Sequence, residues 1–475
     1  MLSLLRKHKI SLALAVLAAL ALRIFFIAKF RVIDGDSLLY GDMAKNWLTH
    51  GILGLSRAEG PLPSYIRLPG YPAFLAGIWR IVGIEHYNAI FIAQIVADLG
   101  TCFVVADMAR RTVSDRAAAL IAFWLTALCP FIAIYTAAPL TETLAIFFAA
   151  LTLDLAVIAI DDLAPGRLRN WTGCGLAMAA GILLRPDGGI LLGAVGLYLL
   201  YRVAIPSGSA ARRNTLIAGV LVSVVALAPL VPWTIRNWRD YHLFQPLAPR
   251  YANEPDESIN PGFQRWVKTW MVDYSSVVNV YWNLPGNEVD PQVLPNRAFD
   301  SPEEKRQTVK ILSAYNETLD WTEDLDSALG RIADARIRRS PIRYYVVLPA
   351  LRIADMWFRP RTDMLQINDK WWEFESDPEG TFWGLLMAGI NFFFCGAALY
   401  GLIRHSDIRY AGLLVLFVVL RSGFLGTLEN PETRYTLECY PVILVFAAAA
   451  LGGRNKQSKL TKENPQQVSI IAHSR

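Results

Sequence analysis

Ile33–Leu48 reads IDGDSLLYGDMAKNWL, and the reading of this stretch decides the fold. It follows the first long apolar segment, where a chain leaves a membrane, and it opens with two carboxylates, Asp34 and Asp36. Residues 37–50 have the spacing of a helix lying flat at an interface. Leu39, Met43 and Trp47 fall on one stripe with Tyr40, Ala44 and Leu48 beside it, while Asp42, Lys45, Asn46 and Thr49 face away. Such a helix holds the Asp36 carboxylate at the height where lipid headgroups meet water.

The rest of the chain agrees with a membrane setting. Of its 475 residues 54% are apolar, and long uncharged segments recur from end to end. The fold class implied is an all-α, polytopic bundle of about ten spanning helices, each near the length a bilayer core requires. Their limits are 10–30, 86–109, 116–136, 139–160, 170–184, 189–203, 214–233, 381–403, 409–427 and 435–452. The net charge of +5 is small and its basic residues sit in short clusters between apolar segments, which excludes a nucleic-acid surface. Cys102, Cys129, Cys174, Cys395 and Cys439 lie in or beside apolar segments without ligand spacing, as packing residues do. Arg6, Lys7 and Lys9 precede an apolar run to about Phe30 that lacks a cleavage site, which favours an uncleaved anchor over a signal peptide.

Loop charge predicts the orientation. Alternate loops carry Arg110, Arg111 and Arg116, then Arg167 and Arg169, then Arg202, Arg212 and Arg213, then Arg404 and Arg409, and finally Arg454, Lys456 and Lys459. The positive-inside rule places these loops and both termini in the cytoplasm. Segment 342–358 contains Arg343, Pro349, Arg352 and Asp355, so it reads as a second interfacial helix and not as a span. The organisation expected is 1–233 as an N-terminal transmembrane module with a first outer loop 31–85, 234–380 as an outer, periplasmic cap, 381–452 as C-terminal spans, and 453–475 as a cytoplasmic tail. The cap has a charged helical stretch near 302–340 and few apolar runs, so little core of its own is expected there.

Polar residues at membrane depth are costly and mark function. Glu142, Arg185, Arg421, Arg434 and Tyr435 all fall in the outward half, and Arg67 and Arg236 sit in outer loops. Guanidinium groups grip a phosphate bidentately and offset its charge as it leaves. A nearby carboxylate takes the proton from an attacking hydroxyl, and partial burial is expected to raise its pKa toward a useful value. Asp36 is the candidate base, with Asp34 in reserve. It is also a favoured N-cap for a helix starting at Ser37, and the two roles can coexist. Arg185 and Arg434 also suit anchoring at the interface, Arg421 also suits a bridge to Glu142, and Glu142 also suits satisfying helix ends near Pro139. Asp98, Asp107 and Asp154 lie away from this region, where interhelical hydrogen bonding accounts for them. The histidines are scattered; His50 and His86 fall on the outer side without a pairing, so the sequence supports no divalent metal and implies no other cofactor.

The motifs in order are Asp36…Tyr40…Ala44-Lys-Asn46-Trp-Leu48…Gly51, Arg67-Leu-Pro-Gly-Tyr-Pro72, Pro139-Leu-Thr-Glu142, Leu184-Arg185-Pro-Asp187-Gly, Pro232-Trp-Thr-Ile-Arg236-Asn237 and Glu432-Thr-Arg434-Tyr435. In this order the chain resembles a bacterial glycosyltransferase of the GT-C superfamily, and more narrowly the group related to protein O-mannosyltransferases and the lipid A aminoarabinose transferase. The resemblance implies a polyprenyl-phosphate-linked sugar donor, transfer to a lipid, glycan or protein acceptor on the outer face of the plasma membrane, and a first-loop aspartate, matched by Asp36, as base. Many relatives carry a second acidic residue directly after it, where Ser37 stands here. The alternative reading is a transporter or flippase of lipid-linked sugars, which favours paired broken helices and internal symmetry; no repeat is visible. A membrane scaffold without chemistry is a weaker fit to the clustered outer arginines.

Overall fold

The computed structural model describes residues 8–115, 117–162, 168–205, 208–254, 257, 259–365, 367 and 371–452. Arg116, Arg167, Arg454, Lys456 and Lys459, used above for orientation, and the tail 453–475 lie outside the described residues, as do Arg6 and Lys7. The chain is a multi-pass membrane protein built almost wholly of helices; among the described residues the only sheet is one two-stranded hairpin.

Helix α1 (Lys9–Phe30) is the first span, and α2 (Asp36–His50) follows it. Strands β1 (Gly54–Arg57) and β2 (Gly60–Pro63) pair antiparallel, and α3 (Gly70–Val82) closes the connection that leads to the next span. The bundle continues with α4 (Tyr87–Thr112), α5 (Ala118–Ala127), α6 (Glu142–Asp161), α7 (Arg169–Leu184), α8 (Gly189–Ala204), α9 (Ser209–Leu227) and α10 (Leu230–Tyr241). The cap holds α11 (Pro261–Lys268), α12 (Pro302–Thr318) and α13 (Glu323–Arg339). It is followed by α14 (Leu348–Phe358), α15 (Pro378–Arg404), α16 (Ala411–Gly426) and α17 (Tyr440–Leu451).

All ten stretches read as spans contain helix, but among the described residues seven helices are long and apolar enough to cross alone, or eight with the pair Ala118–Ala127 and Pro130–Ala137, bent by 49°. The bend falls at Pro130, whose missing N–H and ring cannot continue a helix. At the break the Arg23 guanidinium donates to Ala127 O and, at 3.4 Å, to Thr126 O, which also accepts from Cys129 N at 3.2 Å. Arg23 and Asp98 pair at 2.6 Å, both fully buried, so its charge is balanced where no water can do so. This ion pair joins α1 to α4, as expected of Asp98 acting between helices. Asp154 on α6 faces Arg111 of α4 at 3.7 Å, and Asp107 pairs with Arg110 and Arg111.

The helix ends sort into two faces of the bundle. Arg409 N–H donates to Thr112 O at 2.8 Å, and the Arg409 side chain pairs with Asp161, so the ends of α4 and α6 meet the start of α16. Arg202 and Arg404 occupy the last turns of α8 and α15. Asp36, Glu142, Arg185 and Arg434 gather at the other face, as the next subsection sets out.

Two expectations are corrected by the first outer loop and the cap. Asn46, assigned to the polar face of α2, is buried: its side chain donates to Gly54 O and Ser56 Oγ, each at 3.2 Å, because the hairpin folds back over that face. Asp42 accepts from Ser56 N at 2.7 Å, and Trp47, assigned to the apolar stripe, is 38% exposed. The cap, expected to bury little, packs a core of its own around Phe263, Trp266, Trp270 and Tyr315. Segment 342–358 forms a helix with one buried stripe, Leu348, Arg352, Met356 and Trp357, and an exposed apolar face, Ile342, Tyr345 and Val346. Arg352 donates to Met271 O at 2.8 Å and Gly426 O at 3.3 Å, tying the cap to the end of α16.

Candidate active site

Asp36 is the first residue of α2. The residue before it, Gly35, has φ +45°, a left-handed backbone that suits glycine, and this turn brings the chain from α1 into α2. The helix starts one residue earlier than read, so Asp36 is not its N-cap and makes no capping bond. The carboxylate is instead turned to Arg67, whose Nη2 donates to Oδ1 at 2.8 Å. Arg434 stands on the other oxygen at 4.0 Å.

From there one ion network runs inward. Arg434 reaches Glu142 at 3.6 Å and pairs with Glu432. Arg185 meets Glu142 at 3.0 Å, Asp187 at 3.2 Å and Glu438 at 3.8 Å. Arg421, fully buried, pairs with Asp187 at 2.9 Å and Glu438 at 2.7 Å. Tyr435 lies among them: the Arg185 and Arg434 guanidiniums stand over its ring at 5.1 and 5.5 Å, and its hydroxyl donates to Glu432. Exposure falls along the network from 34% at the Asp36 side chain, through 21% at Arg434 and 18% at Arg185, to 0% at Arg421. The outer end is therefore the end a substrate can reach.

The elements explain the meeting. Glu142 opens α6 just after Pro139-Leu-Thr, with its carboxylate 4% exposed in the first turn, where the positive end of the helix dipole favours an anion. Arg185 ends α7 in extended backbone, and Pro186–Gly188 turns the chain into α8. Arg434 and Tyr435 sit on the tight helical turn Thr433–Cys439 that precedes α17.

Of the candidates from sequence, Asp36, Arg67, Glu142, Arg185, Arg421, Arg434 and Tyr435 share this network. Arg421 is bridged to Asp187 and Glu438, not to Glu142. Arg236 stands apart. Its guanidinium donates to Ser64 O at 2.9 Å and Leu53 O at 2.7 Å and pairs with Asp240 at 2.8 Å, so it clamps the loop that carries Arg67. Asp187, Glu432 and Glu438 were missed as members, although the first two lie inside quoted motifs.

Burial pushes the Asp36 carboxyl up, but the Arg67 guanidinium, with Arg434 and Arg185 behind it, outweighs this and holds it below the usual carboxylate range. The expectation of a raised value is thereby reversed, because it weighed burial without the paired arginine. Among the described residues no group of three or more His, Cys, Asp or Glu side chains is arranged to hold a metal ion.

Residues 63–233, less than half of the chain, match the dolichyl-phosphate-mannose-protein mannosyltransferase family. A comparison with curated proteins yields no match. Among solved structures, 98% of this chain aligns with 52% of the archaeal oligosaccharyltransferase AglB from Archaeoglobus fulgidus, in complex with an inhibitory peptide and a dolichol-phosphate, at a TM-score of 0.53 and 15% identity. The chain thus spans about half the length of that protein. ArnT from Cupriavidus metallidurans bound to undecaprenyl phosphate aligns over 93% of this chain and 77% of its own, at a TM-score of 0.38 and 14% identity. The chain therefore shares the fold of the part of AglB with which it aligns.

Proposed function

We propose that this protein is a membrane glycosyltransferase that moves a sugar from a polyprenyl-phosphate donor to a hydroxyl of a lipid, glycan or protein acceptor. The observation that carries the reading is the convergence of Asp36, Arg67, Glu142, Arg185 and Arg434, from five separate stretches, on one partly open ion network. A site with one solvent-facing carboxylate and arginines around it suits a reaction that consumes a proton acceptor and releases a phosphate.

In the proposed step the acceptor oxygen attacks the anomeric carbon while the bond from that carbon to the phosphate oxygen breaks. The bonding pair leaves with the lipid phosphate, and the acceptor proton passes to the Asp36 carboxylate. A single displacement of this kind inverts the anomeric centre. Arg434 and Arg185, with Arg421 deeper in the network, offset the charge on the leaving phosphate. Asp36 is a weak base while Arg67 holds it. A weak base suffices when the bond to the leaving group is largely broken first, since the hydroxyl proton becomes acidic only as its oxygen bonds to carbon. By the positive-inside rule the site faces outward, to the periplasm in a bacterial inner membrane, with both termini cytoplasmic.

The test is to incubate purified protein in detergent with radiolabelled undecaprenyl-phosphate sugar and cell-envelope acceptor. Labelled product together with released undecaprenyl phosphate is expected. A flippase or transporter makes no new covalent bond, so the absence of any labelled product across envelope acceptors would sink the transferase reading. That alternative also favours paired broken helices, and one bent pair is found among the described residues.

A further inference from the structure

The stretch Arg359-Pro-Arg361-Thr-Asp363 joins the interfacial helix to the last spans and belongs to none of the motifs above. Arg361 is 8% exposed and makes its contacts with neutral groups. Its Nε donates to Tyr440 Oη at 2.6 Å, Nη1 to Thr433 O at 2.8 Å, and Nη2 to Thr436 Oγ1 at 2.7 Å and Met356 O at 3.3 Å. The guanidinium is also held between the rings of Tyr440, at 4.6 Å, and Phe131, at 5.6 Å. Two residues on, Asp363 accepts a hydrogen bond from Thr433 Oγ1. Both the carbonyl and the side chain of Thr433 are therefore fixed by this one stretch.

Thr433 is the first residue of the turn Thr433–Cys439, seven residues of tight 3₁₀ winding. Such winding rarely persists beyond three or four residues without outside support, because its hydrogen bonds are strained. The turn carries Arg434, Tyr435 and Glu438, three members of the ion network. An arginine that donates to two carbonyls and two hydroxyls fixes geometry through a planar fork, a task to which a lysine is not equal.

We infer that Arg361 is a positioning residue that, by holding Thr433 and Thr436, sets the turn presenting Arg434 to Asp36 and Glu142. Its effect on substrate therefore passes through Arg434. The inference rests on the proposed role of Arg434 in gripping the lipid phosphate.

The test is a double-mutant cycle on the full-length protein in detergent, reading the affinity for undecaprenyl phosphate alongside thermal unfolding. Arg434→Met is expected to weaken binding, and Arg361→Met to weaken it by roughly 10- to 100-fold, the scale of one charge-assisted contact. The double variant should bind no worse than Arg434→Met alone, within about twofold, since coupled residues are not additive. Arg361→Lys keeps the charge without the fork and should remain weak. Multiplying losses in the double variant, or unchanged affinity in Arg361→Met with only a lower unfolding temperature, overturns the inference. Should Arg361→Met not fold, Thr436→Val removes the hydroxyl that accepts from Arg361 Nη2 and enters the same cycle, with a smaller loss expected and additivity again fatal. Unchanged affinity in Arg434→Met overturns the phosphate reading as well, and that outcome is distinguishable because it appears in the first single variant.

Discussion

Replacing Asp36 by Asn separates chemistry from architecture at this site. The amide is nearly isosteric, and its Oδ1 still accepts a hydrogen bond from Arg67, which now reaches Asp36 at 2.8 Å. What is lost structurally is an ion pair whose side chains are 34% and 23% exposed, and solvent screening limits such a pair to about 0.5–1 kcal/mol. What is lost chemically, on the proposed mechanism, is the base that takes the acceptor proton, a role that contributes about 10²- to 10⁴-fold to rate. That corresponds to about 3–5 kcal/mol on the barrier. The chemical loss thus exceeds the structural one severalfold, and the two can be read apart. Asp36→Asn should insert and unfold within a few degrees of wild type, with a fall in kcat of at least about a hundredfold. The KM for donor should not rise, because removing a negative charge beside Arg434 does not hinder a phosphate. The assay is transfer from radiolabelled undecaprenyl-phosphate sugar, with thermal unfolding in the same detergent. Turnover within about threefold of wild type, well outside the range for a lost base, would remove Asp36 from the mechanism.

Arg67→Met leaves Asp36 with its burial but without the guanidinium that holds it low, so the carboxyl should protonate at higher pH than in wild type. The acidic limb of the pH profile of kcat/KM is then expected to move up, and a limb that stays or moves down refutes the account. The linked stability term has the matching sign: in wild type it is present above the ordinary aspartate range and is lost as pH falls through the depressed value. Arg421→Met leaves Asp187 and Glu438, which pair with the fully buried Arg421 at 2.9 and 2.7 Å, with Arg185 as their remaining cation, and should cost at most about 3–5 kcal/mol, read as a drop in unfolding temperature. Gly70→Ala places a Cβ 2.5 Å from Leu183 O, a backbone atom two residues before Arg185. Helix α3 must then move off the end of α7, so lower thermal stability and weaker donor binding are expected together.

Much of this was legible in the sequence because membrane spans and charged loops are local signals. Each apolar stretch became helix, and Asp36, Arg67, Glu142, Arg185 and Arg434 share a network after lying in motifs spread over most of the chain. What local pattern does not encode is pairing over distance. Arg421 chose Asp187, 234 residues away, over Glu142, and Glu438 drew no notice because nothing in its neighbourhood marks it. Asn46 looked solvated on a helical wheel, since the wheel knows nothing of a hairpin folding back on α2. Only the bend near Pro130 carried a signal that went unused: a proline within an otherwise unbroken apolar run.

The network's charge balance links proton transfer to phosphate release. At rest five carboxylates, Asp36, Glu142, Asp187, Glu432 and Glu438, face four guanidiniums, Arg67, Arg185, Arg421 and Arg434, so every arginine is already engaged. A sugar-linked phosphate brings one negative charge, whereas the freed phosphate approaches two near neutral pH. Negative charge therefore grows in a site whose arginines are already engaged. The proton delivered to Asp36 cancels one carboxylate at that moment and loosens its hold on Arg67 and on Arg434, 4.0 Å away. On the proposed mechanism the base thus frees two arginines for the leaving group by accepting the proton. An Asp36→Asn protein imitates that protonated state, so it should bind undecaprenyl phosphate about fivefold tighter than wild type, the scale of one partly exposed ion pair. Weaker binding would break the link between the proton and the phosphate while leaving each role separately open to test.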